Sequence, residues 1–369
     1  MRTTKDESMT VEIGSLPERI VDPRTGKIGA PEPIAALNRV KILEKKEPWD
    51  SREPLVDIRT FCPDVVIAEE RVCPFLRLRA AEMLNAAQSS LPTGFKLKVG
   101  TALRTLTMQK SGWDGFFQKQ KEEHPDWPLS ALRRATNKFF APYDQPAPPG
   151  HATGGAVDVA LLNPAGETLD LIAPTTGWEA AYTWSDKISL ESKYNRMMMA
   201  DAMLGAGFSN CRDEYWHYSY GDSAWAVRVG AKSCPYDWAH PPVRLETDFT
   251  DASAANLNMS CNRDPKDGKV LSAEGSCDLP DNATLTEDGT PYWRTGLYWA
   301  KNVPVTFHLH WNPALPYPPL FMGEKESWEP IAETDRSKGV IVFCVTPNAD
   351  RVFLSNTQVG VGSGNESAE

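Results

Sequence analysis

The chain has 369 residues and a formal charge of -10. That length exceeds one ordinary core and predicts about two domains, while the acidity, with no basic stripe to offset it, argues against nucleic acid as a partner. No apolar run has the roughly 18 residues of a membrane helix, and the start MRTTKDESMT lacks a secretory leader, so a cytoplasmic protein without a membrane partner is expected.

Residues 1 to about 54 are charged and proline-bearing, and read as an irregular lead-in. Pro74 can open a helix, where its missing N–H costs nothing. Leu76, Ala80, Met83, Leu84 and Ala87 then form an apolar stripe at helical spacing, ended by Pro92 and Gly94. Phe95, Leu97 and Val99 alternate with polar residues, the pattern of a strand leading to Arg104. Two helical stretches are expected near 106–122 and 129–140, then the proline-rich loop 141–150. Residues 155–162 read as a strand, 163–166 as a turn and 167–172 as its hairpin partner. A helix near 190–205 carries Met197, Met198 and Met203, expected to fill the core. A last strand is expected to carry Arg212 to Tyr220. After about Trp238 prolines, turns and short β-rich runs dominate, which predicts a separate, mainly β accessory domain with a mobile tail from Gly360.

The cysteines number seven, and no C-x-x-C occurs. An odd count without that spacing argues against a disulfide framework or a structural zinc knuckle. Cys261 and Cys277 bracket a polar loop, and their pairing is left open.

Two segments carry chemistry. In His151-Ala-Thr-Gly-Gly-Ala-Val-Asp158 and Glu214-Tyr-Trp-His217, the imidazoles of His151 and His217 and the carboxylate of Asp158 are zinc-ligand types. Three such ligands leave a fourth position for water, as a catalytic zinc requires. Glu214, a carboxylate outside the ligand set, is the candidate general base. On a strand Ala156, Asp158 and Ala160 share one face, where the small alanines leave room for metal and substrate. Glu214 and His217 sit at i,i+3, so a regular strand would point them apart; a bend or bulge is needed. Tyr215 and Trp216 can line a substrate cavity or simply pack a sheet. His308 and His310 alternate on an expected strand and share a face, without a clear third ligand for a second metal.

The pair H-x-x-G-x-A-x-D and E-x-W-H-Y-x-Y-G-D, here His151 to Asp158 and Glu214 to Asp222, resembles the VanX-type D-alanyl-D-alanine dipeptidases. The resemblance covers about 55–235. It implies an α+β, antiparallel-sheet zinc peptidase domain of the hedgehog/D-Ala-D-Ala peptidase type over 55–237, with one Zn²⁺ per chain, and says nothing of the β-rich accessory domain over 238–369 that the composition predicts. The family's D-x-Y-R-P-x-x-x-Q segment matches here only at Arg104 and Gln109, and implies that Arg104 stabilises the oxyanion. The family's serine two residues before the first histidine is Pro149 here. The acid that would hold the substrate's ammonium falls near Thr176, with Glu179 as its possible replacement.

The expected function is zinc-dependent hydrolysis of a short peptide, a D-Ala-D-Ala-like dipeptide first. Alternatives are a zinc carboxypeptidase or amidase acting on a cell-wall fragment or specialised-metabolite amide, and a zinc-bearing binding module without catalysis. The expected partner is a small peptide or amide, and a homo-oligomer is compatible with the sequence.

Overall fold

A computed structural model describes residues 32–69, 72–246, 254–279, 292–315, 319–324, 327–337 and 339–358. The expected tail from Gly360 and the lead-in up to residue 31 lie outside them. The chain forms two compact units, one up to Ala239 and one from His240.

The first unit is built on a five-stranded sheet of β1 (Val66–Ile67), β2 (Lys96–Thr101), β3 (Ala156–Leu162), β4 (Ser209–Asn210) and β5 (His217–Ser219). The strand order is β1-β2-β3-β5-β4. β1 and β2 are parallel and the other pairings antiparallel. Alternation places Leu97 and Val99 of β2 with Val157, Val159 and Leu161 of β3 in one core. Helices α1 (Leu78–Ser90) and α4 (Leu190–Gly205) supply Leu84, Met83, Met199 and Met203 to the same core. Helices α2 (Leu106–Glu123) and α3 (Leu129–Thr136) form an insertion between β2 and β3. Thr105 caps α2 by accepting from the Met108 amide, so the chain turns immediately after Arg104.

Several local expectations change. Pro74 does not open a helix, because Phe75–Arg77 forms a strand antiparallel to Leu55–Asp57 and the helix begins at Leu78. Leu76 is buried from that strand rather than from the helix. Residues 167–172 are not a hairpin strand: one bridge, Leu162 to Thr168, follows the turn at Asn163. Asp170 then ends the pairing by accepting from the Ile172 and Ala173 amides. Residues 32–54 are not merely a lead-in. Lys41–Ile42 pairs with Ser233–Cys234, and Glu44 is buried against Arg77 at 3.0 Å. A buried guanidinium needs such a partner, which draws the segment onto the fold.

The second unit has two five-stranded sheets. One contains β6 (Arg244–Glu246), β9 (Arg294–Tyr298), β15 (Arg351–Ser355), β11 (Phe321–Glu324) and β12 (Ser327–Pro330), in that order. The other is β7 (Ala255–Arg263), β8 (Val270–Asp278), β10 (Val305–His310), β14 (Val340–Val345) and β13 (Glu333–Ser337). All pairings are antiparallel except β8 with β10, between which the chain visits the other sheet through β9. Leu245, Leu297 and Leu354 of the first sheet share a core with Phe307, Ile341 and Phe343 of the second. The described cysteines are all free. Cys261 lies opposite Ala273 on β8, whereas Cys277 is buried and accepts from the Trp293 indole N–H at 3.2 Å, so the pair left open above is not joined.

Candidate metal centre

The backbone of the first unit brings the two motifs together. β3 and β5 are antiparallel with Asp158 directly opposite His217. His151 arrives from a single 3-10 turn, Gly150–Thr153, just before β3. Gly154 ends that turn at φ 73°, the left-handed region that favours glycine, and a Cβ there would come within 2.8 Å of Leu55. At Gly155 a Cβ would overlap the Tyr220 carbonyl, so β3 could not approach the end of β5 as it does. The two glycines thus fold His151 back over Asp158.

Three atoms converge. His151 Nε2 and His217 Nδ1 lie 3.1 and 2.9 Å from the same Asp158 Oδ1, and 3.1 Å from one another. The rings stand at 75°, so each presents a nitrogen edge to the shared point. Among the described residues these are the one group of three or more side chains that meet this way. Zinc ligands about 2 Å from an ion at tetrahedral angles stand roughly 3.3 Å apart, so the set accepts an ion with a few tenths of an ångström of spreading. The His151 Nδ1–H donates to the Ala102 carbonyl at 2.8 Å, which turns the Nε2 lone pair inward.

Electrostatics fit the same picture. Burial disfavours an Asp158 carboxylate, but the attraction and hydrogen bonds of His151 and His217 outweigh it and hold its pKa well below the usual range. Burial holds His151 below its ordinary value despite Asp158. For His217 burial also favours the neutral ring, but the hydrogen bond and charge of Asp158 win and raise it. Burial and the Asp158 carboxylate thus push the two imidazoles in opposite directions.

Glu214 reaches the centre by a turn rather than a bulge. The His217 amide donates to the Glu214 carbonyl at 3.0 Å, so Arg212 to Trp216 precede β5 instead of extending it. Glu214 Oε2 lies 4.0 Å from His217 Nδ1. Burial pushes the Glu214 carboxyl above its usual pKa, against the pull of His217. Arg104 approaches from the end of β2, its Nη2 3.8 Å from Asp158 Oδ2 and its Nη1 3.5 Å from Gln109 Oε1. Gln109 is buried and donates to the Ala141 carbonyl at 2.7 Å, which orients its oxygen toward Arg104.

The other residues singled out from sequence lie elsewhere. Thr176 and Glu179 are exposed, and among the described residues no hydrogen bond or ion pair joins them to the three ligand atoms. Their loop touches the site's edge through the Tyr215 amide, which donates to the Ala181 carbonyl at 3.0 Å. Tyr215 packs beneath the Arg196 guanidinium at 3.8 Å, and Trp216 meets it edge-on.

Two supports had no role assigned from sequence, although Asp222 closes the second motif. Arg196 on α4 donates to the Leu171, Tyr182 and Thr183 carbonyls at 2.6, 2.7 and 3.3 Å, clamping the loop beside Tyr215. A charged residue next to Met197 to Met199 was the available signal. Asp222 is fully buried; it accepts from Ser219 Oγ, two residues past His217, and packs against Gly150, next to His151.

Three inward-facing side chains of metal-ligating type, a carboxylate beside them and an arginine at the rim are the arrangement a metal-dependent hydrolase uses. Residues 80–237 match the M15 peptidase family described as D-ala-D-ala dipeptidase, which is less than half of the chain. No curated protein matches the chain. Among solved structures, similarity extends to a vancomycin-resistance D,D-pentapeptidase VanY from a VanB-type cassette in complex with Zn(II). It is 15% identical, over 53% of this chain and 95% of that one, with a TM-score of 0.27. VanYB in complex with D-alanine-D-alanine is 16% identical, over 53% and 94%, also at 0.27. A metallo-carboxypeptidase from Burkholderia cenocepacia is 11% identical over 31% of this chain, at 0.23, and the chain spans only 28% of its length. No helix among the described residues is long and apolar enough to cross a membrane.

Proposed function

We propose that the first unit is a zinc-dependent peptidase that hydrolyses a short peptide of the D-Ala-D-Ala type. The observation that carries this is the meeting of His151 Nε2, Asp158 Oδ1 and His217 Nδ1 within 3.1 Å of one another, with Glu214 4.0 Å from His217. A zinc ion held by these three residues would supply Lewis acidity to a substrate carbonyl and an attacking water. Glu214 takes the proton of that water on its carboxylate and returns it to the departing amine. The burial that raises its pKa suits both halves of that task. Arg104, held by Gln109, donates to the carbonyl oxygen as negative charge develops there, an effect worth about 3–4 kcal/mol of barrier. Trp216 and the loop with Thr176 and Glu179 are the residues we assign to the substrate side. Pro149 and Thr176, which replace the polar groups of the resembled dipeptidases, favour a second reading in which an N-blocked peptide or amide is cleaved.

The test is a panel of D-Ala-D-Ala, N-acylated D-Ala-D-Ala and L-dipeptides, with Glu214→Gln as the comparison. Glu214→Gln should lower kcat about 10²–10⁴-fold with zinc content unchanged. Full turnover by that variant would remove Glu214 from the mechanism. Preference for the free dipeptide would exclude the second reading.

A further inference from the structure

The second unit has a cavity of about 500 Å³ on the outer face of its β7–β8–β10 sheet, lined by Asn258, Ser260, Glu274, Ser276, His308 and His310 among others. Strand alternation makes this face polar: Val305, Phe307 and Leu309 point into the core, leaving Thr306, His308 and His310 outside. The parallel register of β8 with β10 sets Glu274 beside Thr306, Ser276 beside His308 and Asp278 beside His310, all on this face. Glu274 Oε1 lies 3.1 Å from His308 Nε2, and Asp278 Oδ1 lies 3.5 Å from His310 Nδ1. His308 Nε2 is shut off from solvent yet has no hydrogen bond, since Glu274 is close but out of line. A cation in line with the lone pair of this nitrogen would supply the aligned partner that Glu274 beside it does not.

From this geometry we infer a second metal site, for a divalent transition ion of the zinc class, held by His308, His310 and Glu274 with solvent completing the shell. Imidazole and carboxylate are the ligands such ions select. Two histidines at i,i+2 on a strand are about 6.6 Å apart along the backbone, and both face the same side. As they stand the side chains form two acid–histidine pairs and not a closed set of three. Glu274 and His310 are exposed by 67% and 52%, however, so turning them toward His308 meets little resistance. The alternative is a weak surface ion pair with no ligand. This site shares no residue with the first centre and does not rest on the function proposed for it.

The experiment uses the full chain, with any affinity tag removed, equilibrated with Zn²⁺, desalted and assayed for metal, with Co²⁺ absorption as a second readout. The expected content is about two zinc ions per chain, falling to about one in H308A/H310A and to about one in H217A. Glu274→Gln should weaken the second ion at least about tenfold while leaving the first. Far-UV circular dichroism checks that the variants fold. Unchanged zinc content and Co²⁺ spectrum in folded H308A/H310A would overturn the site and leave the surface ion pair.

Discussion

The two units solve burial in opposite ways. In the second, the buried core is Trp293, Leu297, Phe307, Leu309, Ile341, Phe343 and similar side chains, and the buried polar residues described there are only Thr295, Ser355 and Asn356. In the first, Glu44, Arg77, Arg196, Asp213 and Arg228 are buried along with His151 and His217. Isolated buried charges cost several kcal/mol each, so such groups persist only where partners surround them. Here the partners are the loops that carry the candidate site. Arg196 clamps 171–183, and Arg228 binds Ser209 on β4 at 3.2 Å and Ser219 on β5, the strand of His217, at 3.0 Å. Apolar packing holds a shape, while buried hydrogen-bonded charge fixes a position.

The contrast is broken most easily at the buried arginine. Arg196→Met should destabilise the first unit by about 3–5 kcal/mol, because the carbonyls of Leu171, Tyr182 and Thr183 lose their donor. Arg196→Lys should recover little, since one ammonium cannot span them. In the second unit Phe343→Ala should cost a similar amount, about 3–5 kcal/mol, but Phe343→Leu less than about 1.5. Calorimetric unfolding of the four variants decides this. Equal tolerance of the two conservative changes would erase the distinction between the units.

A smaller effect depends on pH. Burial, against the opposing pull of Arg212, raises the Asp213 carboxyl to about 6. The folded chain thus holds that proton more tightly than the unfolded one. The stability it contributes is fully present below about pH 3.8 and is lost as pH rises through about 6. Asp213→Asn should therefore be more stable than the parent by about 1–2 kcal/mol at pH 8, and the difference should vanish below about pH 4. Denaturant midpoints at the two pH values test it, and a constant difference would show that folding does not shift the Asp213 pKa. The smallest effect is expected on the surface. Lys119, paired with Glu123 at 3.8 Å on the exposed face of α2, should cost about 0.3 kcal/mol when replaced by alanine.

Elements set by local pattern were legible in the sequence. The methionine-rich helix at 190–205, the alternation of Leu97 with Val99, and the two motifs that meet at β3 and β5 were readable from spacing. What was missed depends on contacts remote in sequence. The helix start moved from Pro74 to Leu78 because Phe75–Arg77 pairs with Leu55–Asp57. The 32–54 segment joined the fold because Arg77 needs Glu44. The hairpin at 167–172 gave way because Asp170 satisfies local amides and Ser192 instead of extending a ladder. At the site itself, the i,i+3 spacing of Glu214 and His217 signalled an irregular backbone, but periodicity could not tell a turn from a bulge.

The central claim is that His151, Asp158 and His217 hold a zinc ion. Anomalous diffraction at the zinc edge, from crystals of the full chain grown with zinc, tests it most directly. The account predicts a peak about 2.0–2.2 Å from His151 Nε2, Asp158 Oδ1 and His217 Nδ1 together. A zinc-replete crystal with no peak among those three atoms would contradict it.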